Sequence, residues 1–462
     1  MIRFILGIAF LLISQIALTQ VPTQAQLRWH DDEFYLFAHF GPNTFTDLEW
    51  GKGTESAEIF NPEKLDTKQW CRIAKQAGAK GIIITAKHHD GFCLWPSKYS
   101  KHTVRESKWR NGQGDMLKEL SSACKEYGLK FGVYLSPWDR NHPDYGTPAY
   151  NQVFVNMMTE IFTNYGPIWE FWWDGANGEG PNGKRQEYDW NLFRATIKKL
   201  SPQTVVFSDV GPQIRWVGNE KGEVNATNWN MLNTEGFTPG EGAPTPEVLN
   251  TGEENGKQWI PGECDVSIRP GWFYHRPEDA KVKTPEELFA IYLKSVGRGA
   301  NLLLNVPPDY SGRFTVFDSL ALIGFKKLRD ENFKKNLLKN ATNLVGNKKT
   351  KVLSDQKPNT FVELKRGETI TINLKNEIPI NCIQLKEAIQ FGQSVKKFKV
   401  QLYNAKGDLV REVEATTIGH SRLLTFLSVN ASKLKISILD AKAEVKLSEI
   451  AAYSINETLV EK

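Results

Sequence analysis

Ile168-Trp169-Glu170-Phe171-Trp172-Trp173-Asp174-Gly175-Ala176-Asn177 is the stretch that decides the fold. A largely aromatic and aliphatic run stops at a carboxylate followed by glycine. Such a run suits a strand buried on both faces, where apolar residues follow one another without alternation. Gly175 would let the backbone turn sharply and leave Asp174 uncrowded at the strand's C-terminal end. In an α/β barrel that end is where catalytic side chains gather. An Asp amid Trp rings suits sugar chemistry, because aromatic faces stack on the apolar faces of a pyranose. The plainer reading is an Asp that caps a helix after a core strand.

Outward from this strand, strand-like and helix-like stretches alternate from Leu27. Phe34 to Phe40, Gly81 to Ala86, Lys130 to Leu135, Thr204 to Phe207, Val266 to Ile268 and Asn301 to Asn305 read as further strands. Helices are expected at 67–77 behind Asp66, with Gln69 at the capping-box position, and after Asp115 as far as Gly128. Others are expected at 149–165, 189–200 and 284–297, with a basic helical stretch near 324–339. Ala77-Gly78-Ala79-Lys80-Gly81-Ile82 and Tyr127-Gly128-Leu129-Lys130-Phe131-Gly132 repeat one pattern of helix stop, turn and strand start. About eight such units over about 310 residues predict a (β/α)8 TIM-like barrel across residues 26–341. The sixth strand has no clear place in the loop-rich region 209–263. Beyond residue 342 apolar and polar residues alternate, as in Ile370-Thr371-Ile372-Asn373-Leu374 and Leu434-Lys435-Ile436-Ser437-Ile438. Residues 342–462 are expected to form an antiparallel β-sandwich.

Composition bounds the rest. The 462 residues carry a net charge of +5 without a dense basic run, so nucleic acid is not an expected partner. Arg3 followed by the apolar run Phe4 to Leu18 reads as a signal peptide over residues 1–25, with cleavage after Ala25. That run is short for a membrane span, and no cysteine near the cut suggests a lipid anchor. The expectation is an exported protein, periplasmic or secreted, without a membrane anchor. Five scattered cysteines without a CxxC pair read as buried thiols.

If the barrel is right, the residues after each strand share one pocket. They are His39, Glu49, Trp50, His88, His89, Asp90, Tyr134, Trp138, Asp139, Asp174, Asp209, Arg215, Glu220, Arg269, Trp272 and Asn305. His88-His89-Asp90 invites a metal reading, but adjacent histidines on an extended segment point to opposite sides, so no metal and no other cofactor is expected. Glycoside hydrolysis needs two carboxyl groups flanking the scissile bond. Asp174 is the best candidate for nucleophile; its partner stays open among Glu49, Asp209, Glu220, Glu263 and Asp265.

Four ordered motifs then carry a resemblance. His39-Phe40-Gly41-Pro42-Asn43 with Glu49-Trp50-Gly51, Lys87-His88-His89-Asp90-Gly91-Phe92, Trp172-Trp173-Asp174-Gly175, and Asn301 to Pro308 together resemble the α-L-fucosidases of glycoside hydrolase family 29. The resemblance spans about residues 27–340. It implies a retaining exo-fucosidase with Asp174 as nucleophile, and His39, Glu49, Trp50, His88, His89 and Tyr134 as contacts to sugar hydroxyls. Arg215 to Glu220 looks like the branch acting on α-1,3/1,4-linked fucose, which implies Glu220 as acid/base. In the same branch Arg269 would touch substrate and Trp272 would pack against the C5 methyl of fucose. The implied partners are fucosylated oligosaccharides or glycoconjugates. The C-terminal domain, clearest over Glu387 to Phe398, looks like a discoidin-type sandwich that braces the barrel. Two rival readings are a glycan-binding protein on a silent barrel and a hydrolase for another sugar such as a galactoside.

Overall fold

In the computed structural model, residues 21–346, 348–357 and 359–460 are described. Most of the expected signal peptide, residues 1–20, lies outside them. Ala25, the residue expected to precede cleavage, lies inside helix α1 (Gln24–His30), which Thr23 caps. No helix among the described residues is long and apolar enough to cross a membrane.

Eight parallel strands close into a barrel. In chain order they are β1 (Phe34–Ala38), β2 (Gly81–Lys87), β3 (Lys130–Leu135), β4 (Glu170–Trp172), β5 (Val205–Ser208), β6 (Ile214–Trp216), β7 (Gly262–Ser267) and β8 (Asn301–Asn305). The ring closes where Phe34 of β1 pairs with Leu302 of β8. Each strand is buried on both faces, and its alternate residues divide between two cores. Tyr35, Phe37, Ile83, Tyr134, Trp172, Phe207 and Leu303 point inward and pack together. Phe34, Leu36, Ile82, Ile84, Val133, Phe171 and Leu302 belong to the outer layer beneath the helices. The continuous apolar runs of the sequence are therefore two interleaved stripes.

The helices confirm the local signals. Asp66 caps α2 (Thr67–Gln76) by accepting from Gln69 N at 2.9 Å, and Asp115 caps α3 (Met116–Tyr127) likewise. Gly78 and Gly128 end them at φ 75° and 68°. Gln69 does not close a capping box; its amide bonds the backbone of Phe314 in both directions instead. Helices α4 (Pro148–Asn164), α5 (Trp190–Leu200), α6 (Pro246–Thr251), α7 (Pro285–Lys294) and α8 (Val316–Phe333) complete the layer. The unplaced sixth strand is β6, and it follows β5 without an intervening helix. Only residues 209–213 separate the two, and Gln213 bonds the backbone of Val206. β6 is three residues long with a buried arginine at its centre, so no apolar run marks it. The seventh strand begins at Gly262, earlier than expected, because Glu263 and Asp265 interrupt its apolar pattern.

The barrel interior holds an acid pair. Trp29 of α1 donates to Glu170 Oε2 at 2.9 Å, while Glu263 accepts from Tyr35 OH and from Trp172 Nε1, the latter at 2.8 Å. Burial first, and then Glu263, raise Glu170 well above the usual carboxyl range. All five cysteines are buried and free.

The C-terminal domain is an antiparallel eight-stranded sheet built around two long strands, Thr369–Glu387 and Arg422–Ala441. Their inward residues, among them Ile370, Ile372, Leu434 and Ile436, form a core separate from that of the barrel. Side chains of this domain grip the barrel's 226–230 loop: Gln393 bonds the backbones of Asn228 and Asn230, and Arg422 bonds Ala226 O at 2.7 Å. Lys386 pairs with Glu33 at 3.3 Å.

The acid pair has a consequence for stability. With Glu170 raised, the folded chain keeps a proton that the unfolded chain releases above about pH 4.3, so this contribution is full below that pH and is lost as pH rises towards the folded value. Glu170→Gln keeps the shape and an acceptor for Trp29 without the titration. Its melting temperature should gain on wild type by about 2–4 °C between pH 4.5 and 7.5 in thermal unfolding, and a constant difference would refute the raised titration of Glu170.

Candidate active site

The C-terminal ends of the strands surround a cavity of about 350 Å³. Asp174 stands on its wall, two residues beyond β4. Its Oδ1 accepts from Ala176 N at 2.7 Å and its Oδ2 from Tyr134 OH at 2.9 Å, with His89 Nε2 at 3.7 Å. Gly175 does not take a positive φ, so a sharp turn is not what requires glycine. A Cβ there would come within 2.7 Å of Asp209 Oδ2; the close approach of a second carboxylate is the requirement. Asp209 also lines the cavity, and burial, with Asp174 nearby, pushes it to about 6.

His39, His88 and His89 all face the cavity. The expectation that the adjacent pair would diverge is corrected: β2 ends at Lys87, the chain leaves the extended form, and the two rings lie 4.1 Å apart. His39 Nδ1 lies 2.9 Å from Asn305 Oδ1, and His89 Nδ1 lies 2.8 Å from Ser136 Oγ. Burial dominates their titration, lowering His39 to about 3, His89 to about 4 and His88 well below its ordinary value. The rings are thus neutral; His39 spends its Nδ1–H on Asn305 Oδ1 and keeps the Nε2 lone pair for a hydroxyl, and His89 has its Nδ1 engaged by Ser136.

Glu220 lies in the loop after β6 and reaches the same cavity as Asp174. Its Oε2 accepts from Trp272 Nε1 at 3.1 Å. Glu49 also reaches the cavity, but its carboxylate accepts from Trp272 N at 2.8 Å and Phe273 N at 3.1 Å. Trp50 stands at the mouth, 56% exposed, edge-on to His89.

Other expected members stand behind the wall. Arg269 does not reach the cavity. Its guanidinium is held by Asp318 at 2.9 and 3.0 Å and by Asp279 at 2.9 Å, and it lies over the Tyr274 ring. Its Nη2 also donates to Thr315 Oγ1 at 3.1 Å, so the guanidinium is held among groups outside the cavity lining. Arg215 is spent likewise on carbonyls of Leu249, Ile260 and Trp229 and on Asn228. Asp139 forms a buried pair with Lys87 at 3.1 Å, Asp90 accepts from Phe92 N, and Trp138 donates to Glu179 O. Asn305 orients His39 from behind. Of the carboxylates left open, Asp265 lines the cavity whereas Glu263 lies beneath its floor.

That floor is Phe37, Trp172 and Phe207, the last two stacked with centroids 3.7 Å apart; Trp216 adds to the wall. These were not expected as site residues. Period-two reading would have found most of them, since Phe37, Trp172 and Phe207 each precede His39, Asp174 and Asp209 by two positions on the inward face.

Comparison with known proteins then fixes the family. The α-L-fucosidase family profile matches residues 17–324. The chain belongs to the α-L-fucosidases of glycoside hydrolase family 29. α-L-Fucosidase 1 of Arabidopsis thaliana is 40% identical over 447 residues, covering 94% of this chain and 87% of the relative. A putative α-L-fucosidase structure from Bacteroides ovatus is 42% identical with a TM-score of 0.84, covering 97% of this chain and 77% of that one. A Ruminococcus gnavus family 29 fucosidase, solved in complex with fucose, is 32% identical with a TM-score of 0.86, covering 96% of both chains.

The histidines of this fucosidase should stay neutral in working conditions. Imidazole 15N shifts of His39 and His89 should hold neutral values from pH 5 to 8, since their titration lies at about 3 and about 4. A midpoint near pH 6.5 for either would show that burial does not control it.

Proposed function

We propose that the enzyme is a retaining exo-α-L-fucosidase in which Asp174 is the nucleophile and Glu220 the acid/base. The observation that carries this reading is that the two carboxylates line one cavity from different strand ends, with an aromatic floor between them. In a retaining hydrolase one carboxylate attacks the anomeric carbon while the other protonates the leaving oxygen and later activates water. Asp174 suits the first role because Tyr134 OH and Ala176 N hold its oxygens in place. Glu220 suits the second because it lies nearer the mouth, where a leaving sugar departs, with the Trp272 indole fixing its direction. The neutral histidines are suited to fucose hydroxyls, and the Trp272 face to the C5 methyl.

The preferred substrates on this reading are α-1,3/1,4-fucosylated, Lewis-type glycans, supported by the segment Arg215 to Glu220 and by Asp265 to Trp272. We read the C-terminal domain as a discoidin-type brace, because Gln393 and Arg422 are engaged with a barrel loop. Export rests on the composition of residues 1–25.

Asp174→Ala should lower kcat by about 10³-fold or more, with azide restoring turnover as fucosyl azide; activity within tenfold of wild type would overturn the nucleophile assignment. Glu220→Ala should lose about 10²–10⁴-fold on natural glycans and much less on an aryl fucoside with a good leaving group. Equal losses on both would remove Glu220 as the acid. Timed fucose release from Lewis a, Lewis x and an α-1,2-fucosyl glycan tests the linkage, which fails if the α-1,2 substrate is hydrolysed fastest.

A further inference from the structure

A cluster of charged side chains at the rim is not used by the chemistry above. His275 stands between two carboxylates, with Nδ1 2.5 Å from Asp47 Oδ1 and Nε2 2.6 Å from Glu49 Oε1. Ionised carboxylates only accept hydrogen bonds, so an imidazole meets both only with a proton on each nitrogen. The ring is therefore an imidazolium. Burial alone would lower its proton affinity, but Asp47 and Glu49 outweigh burial and raise it.

Glu49 links this cation to the cavity. Its carboxylate accepts from Trp272 N at 2.8 Å and Phe273 N at 3.1 Å, and so binds the turn that follows Gly271. The contact is close: a Cβ on residue 271 would lie 2.6 Å from Glu49 Oε1 and 2.9 Å from His275 Cδ2. Asn305 holds Trp272 O at 2.7 Å from the other side. With its backbone fixed, Trp272 directs its indole N–H to Glu220 Oε2 at 3.1 Å. An unbroken chain of polar contacts thus runs Asp47, His275, Glu49, Trp272, Glu220.

We propose that His275 is a positioning residue of the reaction, bridging Asp47 and Glu49 as an imidazolium so that Glu49 keeps the Trp272 indole aimed at Glu220. Without a donor at the Nε2 position, Glu49 faces the like charge of Asp47 unrestrained and leaves the turn. The catalytic consequence rests on Glu220 being the acid/base, as proposed above; the mechanical coupling of His275 to Trp272 does not.

A double-mutant cycle on the full chain tests the coupling, with kcat/KM measured on a Lewis-type trisaccharide and on an aryl fucoside. His275→Phe should lower kcat/KM on the trisaccharide by about tenfold, and adding it to Trp272→Phe should cost no more than about twofold further. Multiplying losses would overturn the proposal. Replacement by a single donor refines the test and guards against misfolding. His275→Gln, whose amide reaches the Nε2 position, should recover most of the loss, whereas His275→Asn, which reaches only towards Asp47, should not. Equal activity of the Gln and Asn variants, at matching melting temperatures, would also overturn it. Failure of the acid/base reading is separately visible, because Glu220→Ala would then lose equally on both substrates while residues 275 and 272 stayed coupled in the inhibition constant for fucose.

Discussion

A parallel strand buried on both faces can offer polar groups to solvent only at its ends. Closing eight of them into a ring turns that restriction into a site, because all eight C-terminal ends meet at one rim. The same alternation that separates the two cores also builds the pocket in layers. Tyr35 and Glu263 lie deep, Phe37, Trp172 and Phe207 form the floor, and His39, Asp174 and Asp209 rise above it. Trp172 joins the layers, its ring stacked on Phe207 and its N–H given to Glu263. A change in the acid pair is thus a change one hydrogen bond from the cavity floor.

Burial also sorts the charges. It lowers the titration of the three pocket histidines and raises that of Glu170 and Asp265, in each case favouring the neutral form. Neutral rings beside the carboxylates of Asp174 and Glu220 suit an uncharged sugar, whose hydroxyls need donors and acceptors rather than cations. Where charge is kept inside, it is paired or clamped. Lys87 meets Asp139, and Arg269 meets Asp318 and Asp279.

The loop-rich sector 209–263 replaces a regular helical crossover with side-chain anchors. Arg215 ties β6 to the carbonyls of Leu249, Ile260 and Trp229, and the C-terminal domain grips the same sector through Asn228 and Asn230. Because Glu220 belongs to this sector, its position depends on contacts made well away from the cavity.

The local physics of the chain determined much of this in advance. Asp and Gly at helix ends and apolar runs of strand length are properties of neighbouring residues, and they placed seven barrel strands and most of the helices. The ordered motifs marked the family and the cavity-lining residues His39, Glu49, Trp50, His88, His89 and Asp174, and the resemblance they carry added Tyr134, Glu220 and Trp272. Tertiary structure decided what depends on partners distant in the chain. The strand holding Arg215 carries no apolar signal because its arginine is satisfied by remote carbonyls. Arg269 stands outside the cavity lining because it pairs with Asp318, 49 residues on, as well as with the nearby Asp279. His88 and His89 converge because β2 ends one residue before them, and the partners of His275 lie more than two hundred residues away. Sequence determines which groups are available; only closure of the barrel determines which of them meet, because contact energy depends on distances in space that spacing along the chain does not encode.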